Sequence, residues 1–338
     1  MQSKPQMAAE FREAPDIVRR QAADLTDRVS DLAATLRRRV PQVVVTCARG
    51  SSAHAATFGK HLIERHLGIP VSAIAPNLAT VYRQRLRLKG QMFLAISQAG
   101  RSDDIVESLT FAREAGALTV ALVNDPDSPL ANASDIVLPM QAGPELSVAA
   151  TKTFVASLAA LLRLAAAWTG DSAIHRGLDH LPARLASAAD LDWTAALPAL
   201  AAATHLMSIG RGATLAVARE AALKLKETCR IHAEAFSGAE FQHGPIALVG
   251  RDYPVILFLP TDAAAEGLKT LALALVAKGA SVFATGAPNA LPTLEADQPD
   301  ADAVCLIQAF YGLVIQVAQR RGNDVDRPPH LQKVTRTR

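Results

Sequence analysis

The stretch QVVVTCARGSSAHAATFGKHLIERHLG, residues 42–68, decides how the chain folds. It opens with a short β-branched apolar run and breaks at Arg49-Gly50. It then passes at once into a segment of helical spacing that closes on Gly68. A second stretch, THLMSIGRGATLAVAREAALKLKE at residues 204–227, repeats the plan: an apolar strand, an Arg-Gly break, then a helix. Further strand-like runs at 71–75, 92–97, 118–123 and 135–140 alternate with helix-like segments such as DDIVESLTFAREAG. In the second half YPVILFLP, GASVFATG and ADAVCLI read as strands, with helices at 262–278 and 307–321. Apolar strands alternating with helices predict parallel sheets covered on both faces. The expected fold is therefore α/β: two related domains, each a parallel sheet flanked by helices, related by internal duplication. The boundaries read as a helical lead-in at 1–40, a first domain at 41–169, a linker at 170–192, a second domain at 193–325 and a tail at 326–338.

The bulk properties agree with this plan. A chain of 338 residues is long enough for two cores, and 50% hydrophobic with 20% charged residues is a globular composition. Lys and Arg number 35 against 32 Asp and Glu, a balance that implies no dedicated nucleic-acid surface. The basic run YRQRLRLKG at 82–90 reads as a solvated face or a subunit contact. Cys47, Cys229 and Cys305 form no CxxC or His-paired pattern, so they read as reduced, buried thiols. The first residues lack the apolar segment of a signal peptide. The apolar run VAATKTFVASLAALLRLAAAW at 148–168 is interrupted by Lys152 and Arg163, which suits a buried packing helix better than a membrane span. A cytoplasmic protein with no membrane partner follows. No metal cluster or nucleotide fingerprint is present, and no cofactor is implied; GRGATL at 210–215 lacks the third glycine of a dinucleotide motif.

In an open parallel sheet, ligands bind beyond the carboxyl ends of the strands. Three such loops are rich in hydroxyls: RGSS at 49–52, SQAGRSDD at 97–104 and SVAATKT at 147–153. Helix N-termini favour anions, Gly50 and Gly100 permit close backbone approach, and Ser52, Ser97 and Ser102 add hydroxyls. Without the Lys-Ser/Thr of a P-loop, a single phosphate monoester fits better than a triphosphate. Ordinary helix capping is the competing reading. Elsewhere, EAALKLKETCRIHAEAFSGAEFQHGP at 220–245 stacks Glu220, Lys224 and Glu227 on one helical face. That set is either a solvated ion-pair ladder or an acid/base site.

These motifs identify a resemblance to the sugar isomerase (SIS) superfamily, and within it to the isomerase half of glutamine–fructose-6-phosphate amidotransferase. SQAGRSDD resembles that family's Ser-Gln-Ser-Gly-Glu-Thr phosphate loop, and ELSVAATKTF at 145–154 resembles its Glu-Ile-x-Val-Ala-Ser-Thr-Lys-x-Phe segment. The 220–248 block and the tail GNDVDRPPHLQKVT at 322–335 are similar to its most distinctive stretches. The resemblance spans residues 7–335 and implies two SIS-type domains. A cysteine nucleophile directly after the initiator Met marks the family's glutaminase; here residue 2 is Gln and the first cysteine is Cys47, so glutamine hydrolysis is not expected of this chain.

The resemblance implies glucosamine-6-phosphate deamination and isomerisation to fructose 6-phosphate with release of ammonia. Its alternatives are an ammonia- or partner-dependent synthase subunit, a fructosamine-phosphate deglycase, or, among non-enzymes, a sugar-phosphate sensor. Glu227 matches the carboxylate that carries a proton between C2 and C1, Lys224 the donor to the sugar oxygen, and Glu220 the residue that orients Lys224. His243 matches a ring-opening histidine supplied by the neighbouring subunit, which implies a homodimer. Lys333 matches a lysine that forms a Schiff base with the open ketose, carried by a tail that closes as a lid. Phosphate contacts carry over to Ser52, Ser97, Gln98 and Ser102. Ala99 stands where the family has serine and keeps only its backbone N–H, and Arg101 would supply the missing interaction. Ser51 and Val148 would line the sugar.

Overall fold

In the computed structural model, which describes residues 5–286 and 291–333, the lead-in is helical: α1 (Gln6–Glu10), one 3-10 turn, and α2 (Ala14–Arg38). Residues 1–4 of the expected lead-in, 287–290 of the second domain and 334–338 of the tail lie outside the described residues.

The β-branched run of the opening stretch becomes β1 (Val44–Ala48), and the helical spacing after Arg49-Gly50 becomes α3 (Gly50–Leu67), stopped by Gly68 in the left-handed conformation. Then follow β2 (Val71–Ala73), α4 (Asn77–Thr80), β3 (Met92–Ser97), α5 (Asp103–Glu114), β4 (Leu118–Val123), α6 (Pro129–Ala133), β5 (Ile136–Pro139) and α7 (Lys152–Thr169). All five strands are parallel, in the order β2-β1-β3-β4-β5. The order reverses between β1 and β3, which are paired at Ala48 and Ile96. Loops 49–52 and 97–102 therefore leave the sheet side by side at its topological switch point, where parallel sheets hold ligands. Val45, Phe93, Ala95, Ala121 and Val123 fill one face against Ile105 and Leu109 of α5.

The remaining elements are α8 (Ser172–Ala188), α9 (Leu197–Ala202), β6 (His205–Gly210), α10 (Thr214–Cys229), β7 (His232–Ser237), α11 (Gly238–Gln242), β8 (Pro254–Leu257), α12 (Ala265–Ala277), β9 (Ser281–Ala284) and α13 (Pro299–Arg320). Their four strands form a second parallel sheet, β7-β6-β8-β9, with the same reversal next to its first strand. Met207, Ile209, Val255 and Leu257 pack against Leu268, Leu271 and Leu275 of α12.

Two expectations are corrected. ADAVCLI at 301–307 is not a strand but the start of α13, which begins well before residue 307. The helix signals lie just upstream: Gln298 caps the N–H of Ala301 at 2.8 Å, Pro299 occupies the first turn, and Asp300 and Asp302 favour its dipole. Because the helix is buried almost all round, its apolar residues show no periodicity, and the run imitates a buried strand. By length and composition α13 would also pass for a membrane span, yet 89% of its most apolar window is buried in the fold. The second correction is β7, an edge strand absent from the expected set.

The chain divides into two compact units. The amino-terminal one comprises Asp16–Glu145, Lys152–Leu178 and the described part of Gln332–Arg338. The carboxy-terminal one comprises the described part of Met1–Pro15 with Leu146–Thr151 and Asp179–Leu331.

Candidate functional site

In the carboxy-terminal unit, the glycine that ends β6, just before Arg211-Gly212, is a steric requirement. A Cβ at Gly210 would stand 2.2 Å from the Thr214 carbonyl oxygen. Thr214 fixes the turn, its hydroxyl accepting from Arg211 N at 3.0 Å and donating to Phe258 O at 2.7 Å. From there α10 runs inward, so that Glu220 and Lys224 are fully buried while the Glu227 side chain keeps 21% of its surface exposed. Lys224 Nζ lies 3.4 Å from Glu220 Oε1 and donates a short hydrogen bond to Glu227 Oε2. A solvated ladder is thereby excluded. One buried ammonium stands between two carboxylates, and only the outer carboxylate reaches the surface. Such an arrangement holds Glu227 in a fixed rotamer while leaving an oxygen able to exchange a proton with a ligand. The far end of α10 is held by Arg321, which donates to Cys229 O at 2.8 Å and to the Ala201 and Ala203 carbonyls.

His243 follows α11, whose N-terminus is capped by Ser237 through Glu240 N at 3.2 Å. Its side chain is exposed, and Gly244 behind it adopts φ +136°, open to glycine alone without strain.

Val148 sits half-buried in a loop pinned from three directions, all within the same unit. Its N–H donates to Asp326 O at 3.1 Å, and Ser147 Oγ donates to Asp326 Oδ1 at 2.9 Å. Asp326 also accepts from the Gln6 and Met7 N–H groups at 2.7 and 2.8 Å, and buried Glu10 accepts from the N–H groups of Leu146 and Ser147. Lead-in, loop and tail are thus tied through two carboxylates whose partners lie far away in the chain.

In the amino-terminal unit, Ser51 and Ser52 occupy the first turn of α3, where backbone N–H groups have no intrahelical partner. Gly100 adopts φ +63° and is packed so closely that a Cβ would meet Ser128 Oγ at 2.1 Å. Ser97 Oγ accepts from Gly100 N at 3.1 Å and closes the turn that carries Gln98 and Ala99. Ser102 precedes α5 in the capping position, but its side chain makes no cap hydrogen bond, unlike Ser128, which caps Ala131. The capping explanation therefore fails for Ser102. Arg101 is paired with Asp125 at 2.9 Å and turned toward the loop after β4.

Lys333 also belongs to this unit. Its Nζ lies 3.0 Å from Oε2 of Glu145, a carboxylate with no exposed side-chain surface that also accepts from Thr153 Oγ1 at 2.7 Å and Thr153 N at 3.3 Å. Glu145 opens the segment ELSVAATKTF, which was its available signal; the separation of 188 residues from Lys333 concealed the pairing.

Among the described residues no group of three or more His, Cys, Asp or Glu is arranged to hold a metal ion. All three cysteines are buried, and burial pushes their thiols up to about 12, 11 and 12 for Cys47, Cys229 and Cys305. The native protein is expected to react with dithionitrobenzoate at about pH 8 at least ~100-fold more slowly than the denatured chain, which should release three equivalents of thiolate dye. One rapidly reacting thiol in the folded protein would contradict this environment.

A family model described as "SIS domain" matches residues 40–167 and 199–290. Glutamine–fructose-6-phosphate aminotransferase [isomerizing] of Symbiobacterium thermophilum is 36% identical over 86% of this chain and 51% of its own length. The chain thus spans about half the length of the curated relatives it matches. Among solved structures, a Silicibacter pomeroyi protein whose name proposes a phosphosugar isomerase is 44% identical with a TM-score of 0.91, covering 96% of this chain and 100% of that one. The C-terminal domain of glucosamine-fructose-6-phosphate aminotransferase from Francisella tularensis is 27% identical with a TM-score of 0.85, covering 97% and 99% of the two chains.

Proposed function

The chain belongs to the SIS domain family, and on that premise we propose that it is an amino-sugar-phosphate deaminase and isomerase. It would convert glucosamine 6-phosphate and water into fructose 6-phosphate and ammonia. The observation that carries this reading is the buried Glu220–Lys224–Glu227 set, whose single outward carboxylate suits proton transfer between adjacent carbons.

The phosphoryl group would be held by Ser52, Ser97, Gln98 and Ser102 with the Ala99 N–H, and the sugar lined by Ser51 and Val148. His243, exposed and supplied from a second copy of the chain, would pass a proton to the ring oxygen and open the pyranose. Glu227 then takes the proton from C2, the electron pair forms an enolamine, and Lys224 donates to the sugar oxygen. Return of the proton to C1 leaves an imine at C2. Water adds to that carbon and ammonia leaves, giving the ketose. Lys333 would exchange with the departing amine as a transient imine on C2 before water releases it. Its contact with Glu145 keeps the amine beside a carboxylate able to take its proton.

The test is direct. Purified protein is incubated with glucosamine 6-phosphate, and ammonia and fructose 6-phosphate are measured in equal amounts. A parallel arm supplies fructose 6-phosphate with ammonium or glutamine, and another supplies a phosphorylated fructosamine. Net synthesis or deglycation with no deamination would replace this reading with one of its relatives. Tight binding of all three substrates without turnover would point to a sensor.

A further inference from the structure

Arg49 and Asp104 join the two loops of the amino-terminal unit that leave the switch point between β1 and β3. Arg49 is the residue before α3, and Asp104 lies in the first turn of α5. Nε and Nη2 of Arg49 both reach Asp104 Oδ2, at 2.7 and 2.6 Å. The two partners are unequal. The Asp104 side chain is only 5% exposed, whereas Arg49 keeps 47% of its surface. Asp104 Oδ1 is buried and has no hydrogen-bond partner among the described residues. The carboxylate is therefore a desolvated anchor, and the guanidinium is a planar fork with donors to spare, held at one edge and open at the other.

Among the described residues of these two loops, the other cation is already engaged. Arg101 is engaged by Asp125, and Ala99 offers no hydroxyl. Space is available beside Arg49: a Cβ built on Gly50 meets nothing within 4 Å. The charge balance points the same way. Asp103 and Asp104 stand in the first turn of α5, where they oppose an incoming phosphate unless a cation offsets them.

We propose that Arg49 binds the phosphoryl group of the substrate, and that Asp104 is the positioning residue that fixes its guanidinium between the two loops. This deepens the sugar-phosphate reading and rests on it. Arg49 provides the charge-assisted donors that replace the hydroxyl missing at Ala99, and selects phosphorylated over neutral sugars.

The experiment measures binding of inorganic phosphate, glucosamine 6-phosphate and unphosphorylated glucosamine by calorimetry to the full chain. Arg49→Gln is expected to weaken both phosphorylated ligands by roughly tenfold to hundredfold, with any glucosamine affinity unchanged. Arg49→Lys keeps the charge but not the fork and should recover part of that loss, which a purely structural role would not produce. The double variant Arg49→Gln with Asp104→Asn removes the uncovered carboxylate and should also recover part of it. If Arg49→Gln lowers the thermal midpoint so far that it does not fold, the Arg49→Lys measurement decides, since a phosphate affinity equal to wild type there overturns the assignment of the fork. Wild-type phosphate affinity in a folded Arg49→Gln overturns the proposal while leaving the sugar-phosphate reading intact. A wild-type protein that binds neither phosphate nor the phosphosugar overturns the reading itself.

Discussion

Glu227→Gln is expected to lower the rate of ammonia release by about 10²–10⁴-fold, the usual contribution of a positioned general base. Glutamine preserves the volume and can still accept from Lys224, so α10 should keep its geometry. Lys224 also retains Glu220 at 3.4 Å, and no buried charge loses its last partner. What disappears is the only carboxylate of the set with exposed side-chain surface, and with it the means of taking a proton from C2. The affinity for glucosamine 6-phosphate should stay within about threefold, because its charged end is assigned to other residues in the amino-terminal unit. Two readouts check this: turnover of ammonia, and exchange of the C2 hydrogen into deuterated water. Exchange should be lost together with turnover if Glu227 is the base. Wild-type exchange in the variant would move the proton transfer to another group.

The pattern around that residue shows which features a sequence carries. The strand–Arg-Gly–helix repeat is local, so β1 with α3 and β6 with α10 were legible together with the duplicated parallel sheets. The Lys/Glu spacing on α10 was legible as a shared face, but spacing alone describes exposed ladders and buried sites equally well. Only the packing of Ala221, Ala222 and Leu225 around it, all buried, distinguishes them. Edge strand β7 was missed although His232, Ala233 and Glu234 alternate exposed, buried, exposed; a six-residue run next to a conspicuous motif was absorbed into that motif. The start of α13 was misread because a fully buried helix loses its period. The ties that hold the loop at 146–148, from Glu10 and Asp326, span 136 to 179 residues of chain, and no local pattern announces them. The same holds for Arg49 with Asp104 and for Lys333 with Glu145.

Lys224→Met is expected to destabilise the protein by roughly 3–5 kcal/mol, the cost of removing one partner from a buried ion pair. Methionine fills much the same space, so the loss is electrostatic: Glu220, with no exposed surface, is left facing Glu227 without the ammonium between them. For a unit of this size that loss lowers the thermal midpoint by roughly 6–20 °C. Adding Glu220→Gln to Lys224→Met removes one of the opposed charges and should restore part of the midpoint, whereas Glu220→Gln alone leaves Lys224 with Glu227 and should cost less. Comparing the four proteins in a double-mutant cycle isolates the coupling between the two buried side chains. A Lys224→Met midpoint within about 2 °C of wild type at neutral pH would mean that the ammonium does not hold the carboxylates in place. The fixed orientation of Glu227, on which the proton transfer depends, would then have to come from elsewhere in the packing of α10.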